Sequence, residues 1–299
     1  MNYCSYFIQN KALFGSYPTN ISELENAGVR YFIDLTSPGE RKISPYKTQY
    51  FYLNYPIRDH KVPTNWKTFA HLILYICSLI RKLKTNELIY THCRGGHGRS
   101  GIVVACVLSH LYKILPFEAL KLTNEYHANR VEMKETRRKL GSPSSLFQRT
   151  FVYKFCMPLY FQQTHTNYLS TYSIHSVHVL GVGTFPTAES AFQAHKDLNN
   201  AEYVKKQENA FLPYVSKKIG YECKPGRDWH EKKEGVMAKV LQLKFSQNNF
   251  IREALLKTGL KPIVFHNNNS FWGDGGDGGK GKNVLGRLLT KLRNKLYLN

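Results

Sequence analysis

Apolar residues along the first half of the chain come in two spacings. Short continuous runs, Tyr31-Phe32-Ile33-Asp34-Leu35, Tyr50-Phe51-Tyr52-Leu53 and the segment Glu87 to His92, read as buried strands. Between them, residues 65–84 place Trp66, Phe69, Leu72, Ile73, Ile76, Leu79 and Ile80 on one helical face. Residues 100–112 and 116–130 predict two more helices. Ser142 and Pro143 suit an N-cap and a first helical turn, so a further helix is expected from there to about Cys156. Strands alternating with helices predict a layered α/β fold, a central sheet with helices on both sides.

The pattern lapses over MPLYFQQTHTN, residues 157–167, and resumes differently. Helical spacing returns over 188–198, 235–245, 249–257 and 283–296, with one short strand at 262–265. The expected organisation is therefore a first domain over 1–158, a linker over 159–167 and a second, mostly helical α+β domain over 168–299. A chain of 299 residues suits two domains of about 150 residues each.

Composition narrows the function classes. Hydrophobic residues make up 42% and aromatic residues 13%, which fits a globular protein. Forty-two basic against 21 acidic side chains give a formal charge of +21. Such a charge draws anions: nucleotides, phosphorylated groups, RNA or DNA. The six cysteines, Cys4, Cys77, Cys93, Cys106, Cys156 and Cys223, form no CxxC pair, so neither a metal site nor a disulfide framework is expected. The N-terminal residues lack the pattern of a signal peptide, and the longest apolar run, Phe69 to Ile80, is too short to span a bilayer. The expectation is a soluble, cytoplasmic protein with no cofactor and no membrane contact.

The densest chemistry lies just after the third strand, in His92-Cys93-Arg94-Gly95-Gly96-His97-Gly98-Arg99-Ser100. A strand that feeds a glycine-rich turn and then a helix makes a cradle of backbone N–H groups for an oxyanion. A cysteine pKa, near ~8.5 when free, falls at a helix N-terminus beside cations, so Cys93 is expected as a thiolate nucleophile. Gly95, Gly96 and Gly98 let the backbone wrap a phosphate, and Arg99 returns to hold two of its oxygens. Ser100 is placed to donate to the sulfur when it leaves. Arg94 and His97 add basic groups within the loop and suit a substrate with more than one phosphate. Phosphotyrosine, phosphoinositide, nucleotide and RNA 5′-phosphate all satisfy this chemistry.

These residues resemble the cysteine-dependent protein phosphatases of the dual-specificity branch, from Phe14-Gly15-Ser16-Tyr17-Pro18 through YFIDLT to Gln148. The resemblance implies a phosphocysteine intermediate and no metal. It also implies an aspartic acid on an upstream loop that protonates the leaving oxygen, a place that Asp59 in Tyr55-Pro56-Ile57-Arg58-Asp59-His60 occupies. Asp34, at the end of a buried strand, reads as structural.

The second half has its own concentration, FWGDGGDGGKGKN at 271–283 leading into a helix. Glycine loops before a helix bind phosphates, and the indoles of Trp229 and Trp272 suit stacking on a nucleobase. Six ordered runs, YLSTY (168–172), FPTAESAFQAHK (185–196), RDW (227–229), VMAKVLQLKFSQN (236–248), LLKTG (255–259) and FWGDGG…GKNVLGRLL, resemble the NADAR (YbiA-like) N-glycosidases. The resemblance implies hydrolysis of a ribose–nitrogen bond in a riboflavin-pathway intermediate or an ADP-ribosylated base. It makes Glu189 the catalytic carboxylate and Trp229 and Trp272 the pocket walls, with Asp274, Lys282 and Asn283 near ribose or phosphates. Asn269 stands where an Asp is common in that family, and Thr171 where Asn is common.

The leading expectation is a bifunctional hydrolase acting on a phosphorylated protein or nucleotide and on an ADP-ribosyl or ribosyl-nucleotide ligand. One unit then strips a phosphate and the other cleaves a glycosidic bond. Two other readings fit the same residues: a phosphatase guided by a C-terminal ADP-ribose-binding module that does not cleave, and an RNA 5′-phosphatase.

Overall fold

The computed structural model describes residues 2–41 and 43–298. It divides into two compact units, Met1–Met157 and Pro158–Asn299.

The first unit is a five-stranded sheet flanked by helices. Its elements are β1 (Cys4–Ile8), β2 (Ala12–Gly15), α1 (Ile21–Asn26), β3 (Val29–Asp34), β4 (Phe51–Asn54), α2 (Trp66–Lys82), β5 (Leu88–His92), α3 (Arg99–Tyr112), α4 (Pro116–Ala128), α5 (Glu135–Leu140) and α6 (Leu146–Cys156). The strand order is β1-β2-β5-β3-β4. β5 runs parallel to β2 and β3, and β1 closes one edge antiparallel to β2. The β1–β2 hairpin, absent from the apolar pattern, turns through Asn10 in the left-handed region (φ 56°). All five residues of β5 are buried, as are the first eleven of α3. Burial on this scale is worth roughly 1.5–3 kcal/mol per large apolar side chain. The segment between β5 and α3 is thus held rigidly at the sheet's C-terminal edge.

The helix expected from Ser142 begins later, with Ser145 capping α6 by accepting from Gln148 N–H at 3.2 Å. Ser142 is engaged elsewhere: its Oγ donates to the His97 carbonyl at 2.7 Å. That bond ties the chain before α6 to the β5–α3 turn.

The second unit comprises β6 (Leu159–Phe161), β7 (Val177–Val179), β8 (Gly183–Phe185), α7 (Ala188–Ala194), α8 (Ala201–Glu208), α9 (Pro213–Glu222), α10 (Trp229–Gln247), α11 (Asn249–Lys257), β9 (Ile263–Phe265) and α12 (Val284–Leu298). β6 pairs in parallel with β9, and β7 with β8 antiparallel. The expected linker is therefore corrected: residues 159–161 are a strand of this unit, too short for its spacing to show in sequence. α10 starts six residues before its apolar stripe does, because its first turns, Trp229-His230-Glu231-Lys232-Lys233-Glu234, are mostly charged. One core joins Phe161, Phe192, Trp229, Met237, Phe245, Phe265, Leu285 and Leu289. Lys244 is buried within α10 and donates to the carbonyls of Tyr168 (2.6 Å) and Ser170 (2.7 Å). Its burial pushes the ammonium pKa down to about 7.

No helix among the described residues is long and apolar enough to cross a membrane.

Candidate active sites

Cys93 follows β5 directly and is 3% exposed. Gly96 N–H donates to its Sγ at 3.3 Å, and Ser100 Oγ lies 3.7 Å from the sulfur. Gly96 takes φ +71°, and a Cβ there would collide with the Gly15 backbone and with Arg130 Nη1. Only glycine fits this turn, which is what brings the Gly96 N–H onto the sulfur.

Arg99 opens α3 and is 2% exposed. Its Nη1 donates to Glu40 Oε2 (2.6 Å) and the Ile57 carbonyl (3.0 Å), and Nη2 to Glu40 Oε1 (2.7 Å). Nη2 also meets Asp59 Oδ1 at 3.0 Å. The partners on Nη1 and Nη2 leave the Nε edge, and Nη2 once Asp59 moves away, to grip a phosphate. Burial would raise the Glu40 carboxyl, but hydrogen bonds from Arg99 and Ser37 and the nearby Arg94 overcome this and hold its pKa below the ordinary carboxylate value. Asp59 bridges Arg99 and Arg94, whose Nη2 lies 2.7 Å from its Oδ2. A cleft of about 140 Å³ is lined by Cys93, Arg94, His97, Arg99 and Asp59 together with His60, Arg137, Ser144 and Gln148.

His97 departs from its expected role as a cation. Its Nδ1 lies 2.7 Å from His127 Nε2. Burial, reinforced by Arg130 and Arg137, pushes its pKa down to about 4, so the ring is neutral near pH 7. Arg137 of α5 supplies a cation at this cleft instead. Beneath the loop, Asp34 is structural: it accepts from Thr36 N–H (2.8 Å) and Tyr52 OH (2.8 Å). Sequence reasoning missed Glu40, Arg137 and Arg130, which reach the loop only through packing.

In the second unit, Glu189 lies in the first turn of α7 and is 6% exposed. Thr171 Oγ1 donates to its Oε2 at 2.8 Å, and Gln193 Nε2 to its Oε1 at 2.8 Å. Gln163 Nε2 donates to the same Thr171 oxygen at 2.7 Å, which fixes the direction of the hydroxyl proton. Both carboxylate oxygens are thereby oriented. Trp229 and Trp272 pack on Phe192 with ring centroids 5.2 and 5.6 Å away. A cavity of about 260 Å³ is bounded by Glu189, Gln193, Trp229, Trp272 and Asn269, with Lys196, Lys217 and Lys233 also lining it.

Three residues expected near the ligand do other work and do not line this cavity. Asp274 accepts from the N–H groups of Asn267 (3.1 Å) and Gly276 (3.0 Å) and pairs with His266 (2.9 Å). Asn283 joins β9 to α12, accepting from Phe265 N–H (2.9 Å) and donating to the Ile263 carbonyl (3.0 Å). Lys282 is exposed, with its ammonium 5.8 Å from the Phe271 ring centre. Asn269, by contrast, faces the cavity. Its Oδ1 accepts from the N–H groups of Phe271 (3.0 Å) and Trp272 (2.8 Å), a turn-holding role that an aspartate oxygen fills equally well. Among the described residues, no three His, Cys, Asp or Glu side chains cluster as a metal site.

Comparison with known proteins agrees with this division. The family model described as "Swiss Army Knife protein, DSP-PTPase phosphatase domain" matches residues 2–145, and the NADAR domain matches 157–297. The N-glycosidase YbiA of Escherichia coli (strain K12) is 42% identical over 118 residues, 38% of this chain and 72% of that protein. The chain belongs to the NADAR family, and its residues 2–145 match the DSP-PTPase phosphatase domain. A protein of Invertebrate iridescent virus 6 is 29% identical across 99% of this chain and 96% of its own length. Another, from Invertebrate iridescent virus 3, is 40% identical over 158 residues, 52% of this chain and 66% of its own length. The first unit is thus the phosphatase unit and the second the NADAR unit.

Proposed function

We propose that the chain hydrolyses two kinds of bond, a phosphomonoester at Cys93 and a ribose–nitrogen bond at Glu189. The observation that carries the reading is the meeting of the Cys93 sulfur, the Gly96 N–H, the Arg99 guanidinium and the Asp59 carboxylate around one cleft. The Cys93 thiolate attacks phosphorus in line, forming an S–P bond as the P–O bond to the leaving group breaks. Asp59, protonated and released from the arginines, gives its proton to that leaving oxygen. It then takes a proton from the water that displaces the sulfur, and Ser100 Oγ donates to the departing thiolate. Arg99 holds the equatorial oxygens throughout. Arg94 and Arg137 beside the cleft favour a substrate with further anionic groups, such as a nucleotide.

In the NADAR unit, Glu189 stabilises the positive charge that develops on the ribose and directs water to its anomeric carbon. The two indoles flank the base, and the three lysines complement phosphates. Asn269 supports cleavage rather than simple binding, since its oxygen serves the turn that carries Trp272. The test is phosphate release and base release by the full chain, Cys93→Ser and Glu189→Gln on nucleotide, ADP-ribosyl and phosphopeptide substrates. Loss of phosphate release in Cys93→Ser alone, and of base release in Glu189→Gln alone, is expected. Phosphate turnover surviving in Cys93→Ser overturns the thiolate mechanism, and base release surviving in Glu189→Gln overturns the second activity.

A further inference from the structure

Arg130 is a buried charge without a counter-charge. It lies two residues beyond α4 and is 2% exposed. Among the described residues no carboxylate pairs with it, and its Nε and Nη2 have no hydrogen-bond partner. Its guanidinium carbon stands 4.5 Å from the centre of the Phe14 ring, whose face offsets part of the charge. An isolated cation at this depth is costly unless an anion faces it.

The groups around it say which anion that is. Arg130 Nη1 lies against Gly96, the residue whose N–H meets the Cys93 sulfur. The acidic groups close enough to favour the charged guanidinium are Tyr90 on β5, Cys93 on the loop and Cys4 on β1. Burial raises Tyr90 well above its ordinary value and Cys4 to about 11, so neither is an anion near pH 7. The other titratable neighbours, His97 on the loop and His127 on α4, are held neutral, and Arg137 and Arg138 bring only positive charge. Of the three acidic groups, Cys93 is the one whose sulfur meets the N–H of Gly96, the residue that Arg130 lies against.

We infer that Arg130 is a positioning residue of the phosphatase unit, the buried counter-charge that holds the Cys93 sulfur as a thiolate from beneath the loop. Arg99 lines the cleft, whereas Arg130 does not line it and lies against Gly96. The inference rests on Cys93 being the nucleophile, and its test separates the two.

The readout is the rate of Cys93 alkylation by iodoacetamide against pH, located by peptide mapping, in the full-length chain and in Arg130→Met, Arg130→Gln and Arg130→Lys. Wild-type Cys93 alkylates rapidly at pH 6 if it is the nucleophile; a sluggish wild type overturns the proposed phosphatase mechanism. Given a reactive wild type, Arg130→Met and Arg130→Gln slow alkylation at pH 6 about tenfold, because the thiol then ionises only above that pH, and the gap closes at alkaline pH. Arg130→Lys stays within about twofold of wild type. Neutral variants that fold and keep the wild-type pH profile overturn the inference, as does a lysine variant slowed as much as the neutral ones. Should Met fail to fold, the Gln and Lys pair makes the same comparison.

Discussion

Glu40 grips Arg99 through two parallel hydrogen bonds of 2.6 and 2.7 Å, and Arg99 in turn anchors the first turn of α3. The carboxylate comes from the loop between β3 and β4, far from the arginine in sequence. Glu40→Gln keeps the shape and removes the charge that aligns the fork. The expected result is a fall in kcat/KM for phosphate release of about tenfold, equivalent to about 1.4 kcal/mol. An unchanged kcat/KM would show that the loop alone aligns Arg99.

Asp59 bridges Arg94 and Arg99 at the cleft and is proposed to leave them when the substrate arrives. Asp59→Asn is expected to lower kcat by roughly 10²–10⁴, most for substrates with poor leaving groups. Measuring kcat for aryl and alkyl phosphates side by side checks this. Equal losses on both would remove Asp59 as the acid.

Acid should unfold the phosphatase unit earlier than its carboxylates alone require. Burial pushes His92 and His97 to about 4 and His127 to about 3. All three lie below the ordinary value near ~6.5, so the unfolded chain binds protons first as the pH falls. The stability these neutral rings contribute is complete above about pH 6.5 and is lost on acidification toward their folded values. His92 and His127, both fully buried, each contribute a slope of up to about 1.4 kcal/mol per pH unit in that window. Denaturant unfolding between pH 7 and 4.5 measures it, and His127→Asn should flatten the curve.

Thr171 and Asn269 separate two kinds of support in the NADAR unit. Thr171→Val removes the hydroxyl that orients Glu189 and is expected to lower base release about tenfold, with little change in KM. Asn269→Asp retains an oxygen for the Phe271 and Trp272 N–H groups, so activity should stay within about threefold. Asn269→Ala removes these two hydrogen bonds, at about 1 kcal/mol of stability each, and lets Trp272 drift. A large loss in Asn269→Asp would give Asn269 a chemical role beyond the turn.

Legibility in the sequence followed the range of each interaction. Cys93, Gly96, Arg99 and Ser100 sit within one strand–turn–helix, so their arrangement could be read from contiguous residues. Glu40, Arg130 and Arg137 reach the same loop by packing of distant elements, and nothing local to them carries a signal. In the second unit, Trp229 and Trp272 stand out as scarce indoles and Glu189 only through the family resemblance, and all three line one cavity. The glycine loop misled: its Asp274 and Asn283 are polar because they tie backbone groups at a tight crossing, which looks like ligand chemistry when only the residue types are visible.

The short strand at Leu159–Phe161 decides where this chain can be divided. Leu159 N–H donates to the Pro262 carbonyl at 2.7 Å, and His266 N–H to the Phe161 carbonyl at 2.8 Å. A fragment begun at Tyr168, where the apolar pattern resumes, strips Ile263–Phe265 of this neighbour and lays bare a sticky hydrophobic edge beside the cavity wall, an invitation to self-association. A fragment begun at Pro158 keeps that edge covered, so ten residues that look dispensable decide whether Ile263–Phe265 has its neighbour.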